Sequence, residues 1–140
     1  MLRLVALDHV GLTVTDMDRS LAFYRALGFT LLRATGPNAE GVRSAVIQVE
    51  AQEVNLFSRP GLVPSVAANP VGMDHFGLAV AGGSMDDVVA DLQRAGIEIA
   101  RGPVPRRDGT ALFLHDPDGV RVELQLKSPP VADPRGREGA

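Results

Sequence analysis

Cysteine is absent from the 140 residues, which excludes disulfides, thiolate nucleophiles and Cys-ligated metal centres. No stretch approaches the ~18 consecutive apolar residues of a membrane-spanning helix. A large excess of either charge is missing too. Fourteen Lys and Arg stand against 17 Asp and Glu, a formal net charge of -3. No segment is dominated by a basic cluster, which argues against nucleic acid or an anionic membrane as the main partner. The opening Met1-Leu2-Arg3-Leu4-Val5 runs straight into a strand-like pattern, lacking a secretory signal's apolar stretch and cleavage site. A cytoplasmic location is therefore expected. What is present is an ordinary globular composition, 45% hydrophobic and 22% charged, enough to pack one domain at this length.

The chain is also written twice. Asp8-His9-Val10-Gly11-Leu12 is echoed by Asp74-His75-Phe76-Gly77-Leu78, 66 residues later. Downstream the echo settles at 68 residues: Met17-Asp18 matches Met85-Asp86, and Val54-Asn55-Leu56 matches Val122-Glu123-Leu124. A fixed internal period marks one supersecondary unit repeated. Each copy carries its histidine at the same place in the pattern, so two related halves could bring both to a shared axis.

Residues 4–14 read as a strand, followed by an N-cap at Thr15-Asp16. Met17, Leu21, Tyr24 and Leu27 fall three or four apart, the apolar face of a helix that Gly28 closes. Strands are expected at 29–34, 43–50 and 53–58, the last two joined by a tight turn at Ala51-Gln52. The second half repeats the order, with a strand at 74–81 and a helix over 85–95 capped by Ser84. Strands follow near 97–101, 110–115 and 120–127, with Asp116-Pro117-Asp118-Gly119 as a hairpin turn. The expected organisation is β-α-β-β-β twice, in residues 1–58 and 74–127. A crossover linker at 59–73 and a disordered tail at 128–140 complete it.

Side chains alternate along a strand with period two. His9, Gly11 and Thr13 therefore share one face, and His75, Gly77 and Ala79 share its counterpart. The alternating aliphatic residues must pack under the helices, leaving each histidine on a concave side. A two-residue turn at Ala51-Gln52 sets Gln48 opposite Asn55 and Val46 opposite Phe57. A turn at residues 116–119 sets Leu112 opposite Glu123 and Leu114 opposite Arg121, with Ala111, Phe113, Val122 and Leu124 in the core. Glu123 then joins His9 and His75 on the concave face, and Asn55 is its counterpart. A carboxylate on an apolar-walled surface is costly unless paired or metal-bound. Two imidazoles and one carboxylate suit Fe2+, and also Mn2+, Zn2+, Ni2+ or Co2+. His115 reads as a solvated or capping residue, and Glu50 and Glu53 as solvated charges at a hairpin tip.

These motifs, with Phe23-Tyr24-Arg25-x-Leu27-Gly28-Phe29, resemble the vicinal oxygen chelate superfamily. That group includes glyoxalase I, fosfomycin-resistance transferases, extradiol dioxygenases and metal-free bleomycin-resistance proteins. The resemblance covers roughly residues 4–127. It implies an α+β glyoxalase/dioxygenase fold, with tandem βαβββ repeats forming a cupped mixed-sheet half-barrel. It implies a divalent transition metal held by His9, His75 and Glu123, the last also the catalytic carboxylate, and it implies a homodimer. Asn55 stands where glyoxalase I carries Glu or Gln, a departure from that enzyme. Gly11 stands where the fosfomycin group has threonine.

The expected function is that of a metal-dependent enzyme acting on a small, oxygen-chelating, anionic substrate. Its chemistry would be that of a lyase or isomerase, or ring-cleaving dioxygenation. Gln48, Asn55, Phe57, Leu112, Arg107 and Arg121 are the expected substrate-binding residues. Arginines 101, 106 and 107 flank a Pro-rich loop suited to gripping an anion. The alternative is a metal-free protein that sequesters an antibiotic or metabolite.

Overall fold

The computed structural model describes residues 1–63 and 72–136. The chain forms two compact units, Met1–Pro64 and Ser65–Ala140. Most of the expected linker, at 64–71, and the end of the tail, at 137–140, lie outside the described residues.

The first unit runs β1 (His9–Thr13), α1 (Met17–Leu27), β2 (Thr30–Thr35), β3 (Arg43–Val49) and β4 (Gln52–Ser58). Its sheet has the order β1-β4-β3-β2, with β1 and β4 parallel and the other pairs antiparallel. The helix begins where Asp16 Oδ1 accepts from the Arg19 amide at 3.0 Å, satisfying a donor that the first turn cannot. It ends at Gly28, whose φ of 119° lets its amide reach the carbonyls of Tyr24 and Arg25. Met17, Leu21 and Tyr24 are buried, as the spacing predicts, together with Leu12, Ile47, Val54 and Leu56 of the sheet. The first strand begins later than expected. Its ladder starts at His9 opposite Glu53, and β4 itself begins only at Gln52, so residues 4–8 have no run of backbone partners.

The second unit repeats the plan: β5 (Phe76–Val80), α2 (Met85–Arg94), β6 (Arg101–Arg106), β7 (Gly109–His115) and β8 (Arg121–Lys127). The order β5-β8-β7-β6 again places the first and last strands side by side and parallel. Ser84 and Asp87 form a reciprocal capping box at the start of α2. Val88, Leu92 and Ile97 are buried, as are Leu112, Leu114, Val122 and Leu124. Neither four-stranded sheet is closed.

Two expectations are corrected here. The Pro-rich stretch taken for a loop is strand β6, displaced from the expected 97–101. As the edge of its sheet it has one neighbour, and an irregularity between Arg101 and Val104 accommodates Pro103. The second correction concerns the last hairpin. The observed pairs are Leu112 with Leu124, Phe113 with Glu123, and His115 with Arg121. Five residues, not four, connect β7 to β8. Asp116 organises them, its Oδ1 accepting from the amides of Asp118 and Val120 at 2.9 and 2.8 Å. One extra residue flips every side chain of a strand to the other face. Leu112 and Leu114 therefore belong to the aliphatic core, and Phe113 and His115 share the face of Glu123.

The first hairpin is displaced as well, by two residues. Val49 pairs with Gln52 around Glu50, whose φ is 51°. A shift of two keeps the faces, so Ile47, Val54 and Leu56 stay buried. The partners change: Gln48 stands opposite Glu53, Asn55 opposite Val46, and Phe57 opposite Ser44.

Candidate metal centre

In the first unit the parallel pairing sets His9 beside Glu53, Gly11 beside Asn55, and Thr13 beside Phe57. His9, Glu53 and Gln48 thus form one cross-strand row. His9 Nδ1 lies 2.7 Å from Asp8 Oδ2. Asn55 occupies the next row, its Oδ1 buried and, among the described residues, without a hydrogen-bond partner. A buried acceptor left unmet calls for an explanation, and a donor or cation supplied with a ligand would provide one.

The second unit holds the denser arrangement. His75 directly precedes β5, and its Nε2 lies 3.0 Å from Glu123 Oε2. The carboxylate side chain of Glu123 is only 13% exposed. His75 Nδ1 lies 2.7 Å from Asp74 Oδ2, repeating the Asp8–His9 contact of the first unit. Glu123 stands opposite Gly77, where an added Cβ would meet its Oε2 at 3.9 Å. The glycine keeps that side of the carboxylate clear of bulk.

Charges and one ring complete the surroundings. Arg106 Nε reaches Glu123 Oε1 at 3.4 Å, and Arg121 Nη1 reaches Asp74 Oδ2 at the same distance. The Phe113 ring meets the His75 ring edge-on, with 5.9 Å between centroids. Both Arg101 and Arg106 lie over Phe113, at 5.8 and 5.2 Å, within the range of cation–π attraction. Asp74 is held below the usual aspartate range, first by its hydrogen bond with His75 and then by the charge of Arg121.

The donor set fits a cation. An imidazole with a carboxylate at each nitrogen is satisfied by a proton on both, or by one proton and a metal ion. Asp74 on Nδ1 is the outer carboxylate that commonly orients a metal-binding histidine, leaving Nε2 for the ion. Two ligand atoms each about 2.1 Å from an ion and at right angles stand about 3 Å apart, which matches Nε2 to Oε2. Among the described residues, no three His, Asp or Glu side chains are gathered into a complete ligand set.

Of the expected residues, the second unit brings His75 and Glu123 together and ties Arg121 to them through Asp74. Leu112 is fully buried on the other side of the sheet, a consequence of the register flip. Arg107 sits in the turn after β6, and its neighbour Arg106 is the one that reaches Glu123. Glu53, expected only as a solvated charge, stands beside His9. Sequence reasoning assigned no role to Asp8 or Asp74, offered Arg106 only as one of three arginines for an anion, and placed Phe113 in the core rather than beside Glu123. A signal existed for the two aspartates, since each immediately precedes a repeated histidine.

A profile of the Glyoxalase/Bleomycin resistance protein/Dioxygenase superfamily matches residues 6–124, and the chain belongs to that superfamily. It is 30% identical over 123 residues to a virulence protein of Salmonella typhimurium, covering 84% of this chain and 81% of that protein. It is also 30% identical over 138 residues to the catechol-2,3-dioxygenase of Bacillus subtilis, covering 94% of this chain but 46% of that enzyme. The chain therefore spans under half the length of that dioxygenase. A variant of the fosfomycin resistance protein FosX from Listeria monocytogenes, solved with Mn(II), shares the fold. Its TM-score is 0.69 at 17% identity, over 88% of this chain and 93% of that one.

Proposed function

We propose that the protein is a divalent-metal-dependent enzyme acting on a small, anionic substrate that chelates the metal through two oxygens. The observation that carries this is the 3.0 Å approach of His75 Nε2 to Glu123 Oε2, with Asp74 fixing the other ring nitrogen. His9, at the repeat-matched position and with its own aspartate, is the third ligand of the proposal. A bound divalent ion would act as a Lewis acid, stabilising negative charge that develops on a substrate oxygen. Asp74 and Asp8 hold their histidines with Nε2 available. Glu123 supplies a largely shielded carboxylate able to bind the ion or exchange a proton with the substrate. Asn55, Gln48 and Phe57 orient substrate in this proposal, and Arg121 attracts its charge. The metals it admits are Fe2+, Mn2+, Zn2+, Ni2+ and Co2+. Presence of Mn(II) in a structure of the same fold supports a hard divalent ion.

The reaction proposed is lyase or isomerase chemistry or ring-cleaving dioxygenation, the latter supported by the dioxygenase relative. A metal-free binding protein is the second reading, favoured by the contact of Arg106 with Glu123, a cation already beside the carboxylate. Elemental analysis of protein purified without chelator separates the two. About one transition metal per chain, lost in His75→Ala and Glu123→Ala, supports the enzyme. A folded protein that takes up no divalent metal on titration overturns it. Oxygen uptake with catechols after anaerobic Fe2+ loading then divides dioxygenase from lyase chemistry. A homodimer belongs to the same proposal, and a monomeric mass by light scattering would remove it.

A further inference from the structure

The face that carries Glu123 holds more positive charge than its carboxylates use. Arg101, Phe113, Glu123 and Gly77 form one cross-strand row of the second sheet. His115 and Arg121 pair in the next row. Beside them opens a hollow of about 200 Å³, lined by Ala100, Arg101, Phe113, His115 and Arg121. Among the described residues Arg101 has no carboxylate partner, and its guanidinium lies over the Phe113 ring instead. Arg121 has one long contact, to an aspartate already engaged by His75. Among the described residues no hydrogen bond engages the His115 side chain. Two arginines and a histidine thus line one small space, with the Phe113 residue, only 6% exposed, as part of its wall.

We infer that this hollow is an oxyanion subsite, taking the carboxylate, phosphate or phosphonate end of a small ligand between Arg101 and Arg121. A guanidinium presents its donors as a planar fork that matches two oxygens of such a group. Cation–π attraction to Phe113 restrains the Arg101 guanidinium, so less side-chain freedom is lost when an anion binds. His115 supplies a further donor across the hollow, and the buried Phe113 ring backs its wall. The subsite lies next to the candidate metal pair, since Phe113 also contacts His75 and Arg121 shares Asp74 with it. The inference rests on the proposed enzyme only in naming the ligand as its substrate. Binding of the oxyanion itself requires no metal.

The experiment is a nuclear magnetic resonance titration of the full chain, stripped of metal and then freed of chelator by desalting, with inorganic phosphate and with benzoate as separate probes. Saturable shifts confined to amides of Ala100, Arg101, Phe113, His115 and Arg121 are expected for at least one probe. Arg101→Gln and Arg121→Gln should each weaken that binding tenfold or more, and Arg94→Gln, on the exposed face of α2, should leave it unchanged. Shifts that grow linearly for both probes, or an equal loss in Arg94→Gln, overturn the subsite and mark these arginines as a solvated surface. The metal-free state keeps this result apart from the metal reading. Anion binding without metal uptake would sink the enzyme and leave the subsite standing, and the converse would do the reverse.

Discussion

His75 places each ring nitrogen against a carboxylate, and the two contacts have separable consequences. Asp74→Asn retains the shape and a hydrogen-bond acceptor but removes the charge behind Nδ1. Outer partners of metal-binding histidines are commonly worth 10–100-fold in affinity. Asp74→Asn should therefore weaken divalent-metal binding by about that factor, measured by competition with a chromophoric chelator, with circular dichroism unchanged. Glu123→Gln removes a ligand charge outright and should cost more than Asp74→Asn in the same assay. Equal binding in all three proteins would remove His75 and Glu123 from the metal site. At this scale the chain was partly legible. The repeat displayed both histidines and the divergence of Glu123 from Asn55. The approach of Arg106 and Phe113 to the Glu123–His75 pair was not legible, because no local pattern says which residue of a neighbouring strand will stand opposite a carboxylate.

Helices and turns set the next level. The α2 capping box holds Asp87 below its ordinary value of 3.8, chiefly through the Ser84 hydroxyl and then the Ser84 amide. The native value is depressed, so this stabilisation is complete above about pH 4 and is lost as pH falls through the native value. Ser84→Ala should raise the Asp87 titration midpoint toward 3.8 and cost about 0.5–2 kcal/mol, read from carboxyl chemical shifts and urea denaturation. Leu112 tests the hairpin. If it lined a pocket, Leu112→Ala would chiefly affect ligand binding. Fully buried against the aliphatic face, it should instead lose about 2–5 kcal/mol of stability. Both helices, their caps and most strands followed from periodicity and capping chemistry. The hairpin registers did not. Asp116-Pro117-Asp118-Gly119 announces a turn, but whether four or five residues span it depends on the Asp116 hydrogen bonds to Asp118 and Val120. That single residue exchanges the roles of Leu112 and Phe113. Strand β6 escaped for a related reason, since two prolines read as a loop unless one knows that the strand lies at an edge.

For the chain as a whole, the duplication predicted two like units, and each builds the same sheet from its own strands. Family and fold were therefore the most legible features, because they depend on order and period rather than on any one pairing. In each unit the first and last strands lie side by side, so neither sheet can be completed until its final strand has been made. The first unit can meet that condition once Ser58 has left the ribosome, before the second exists. A denatured full-length chain has no such schedule. Its β1 meets two related candidates at once, β4 with Val54-Asn55-Leu56 and β8 with Val122-Glu123-Leu124, and must reject one of them. Refolding from urea should consequently show a slow phase from exchanged strands that the isolated order of synthesis avoids.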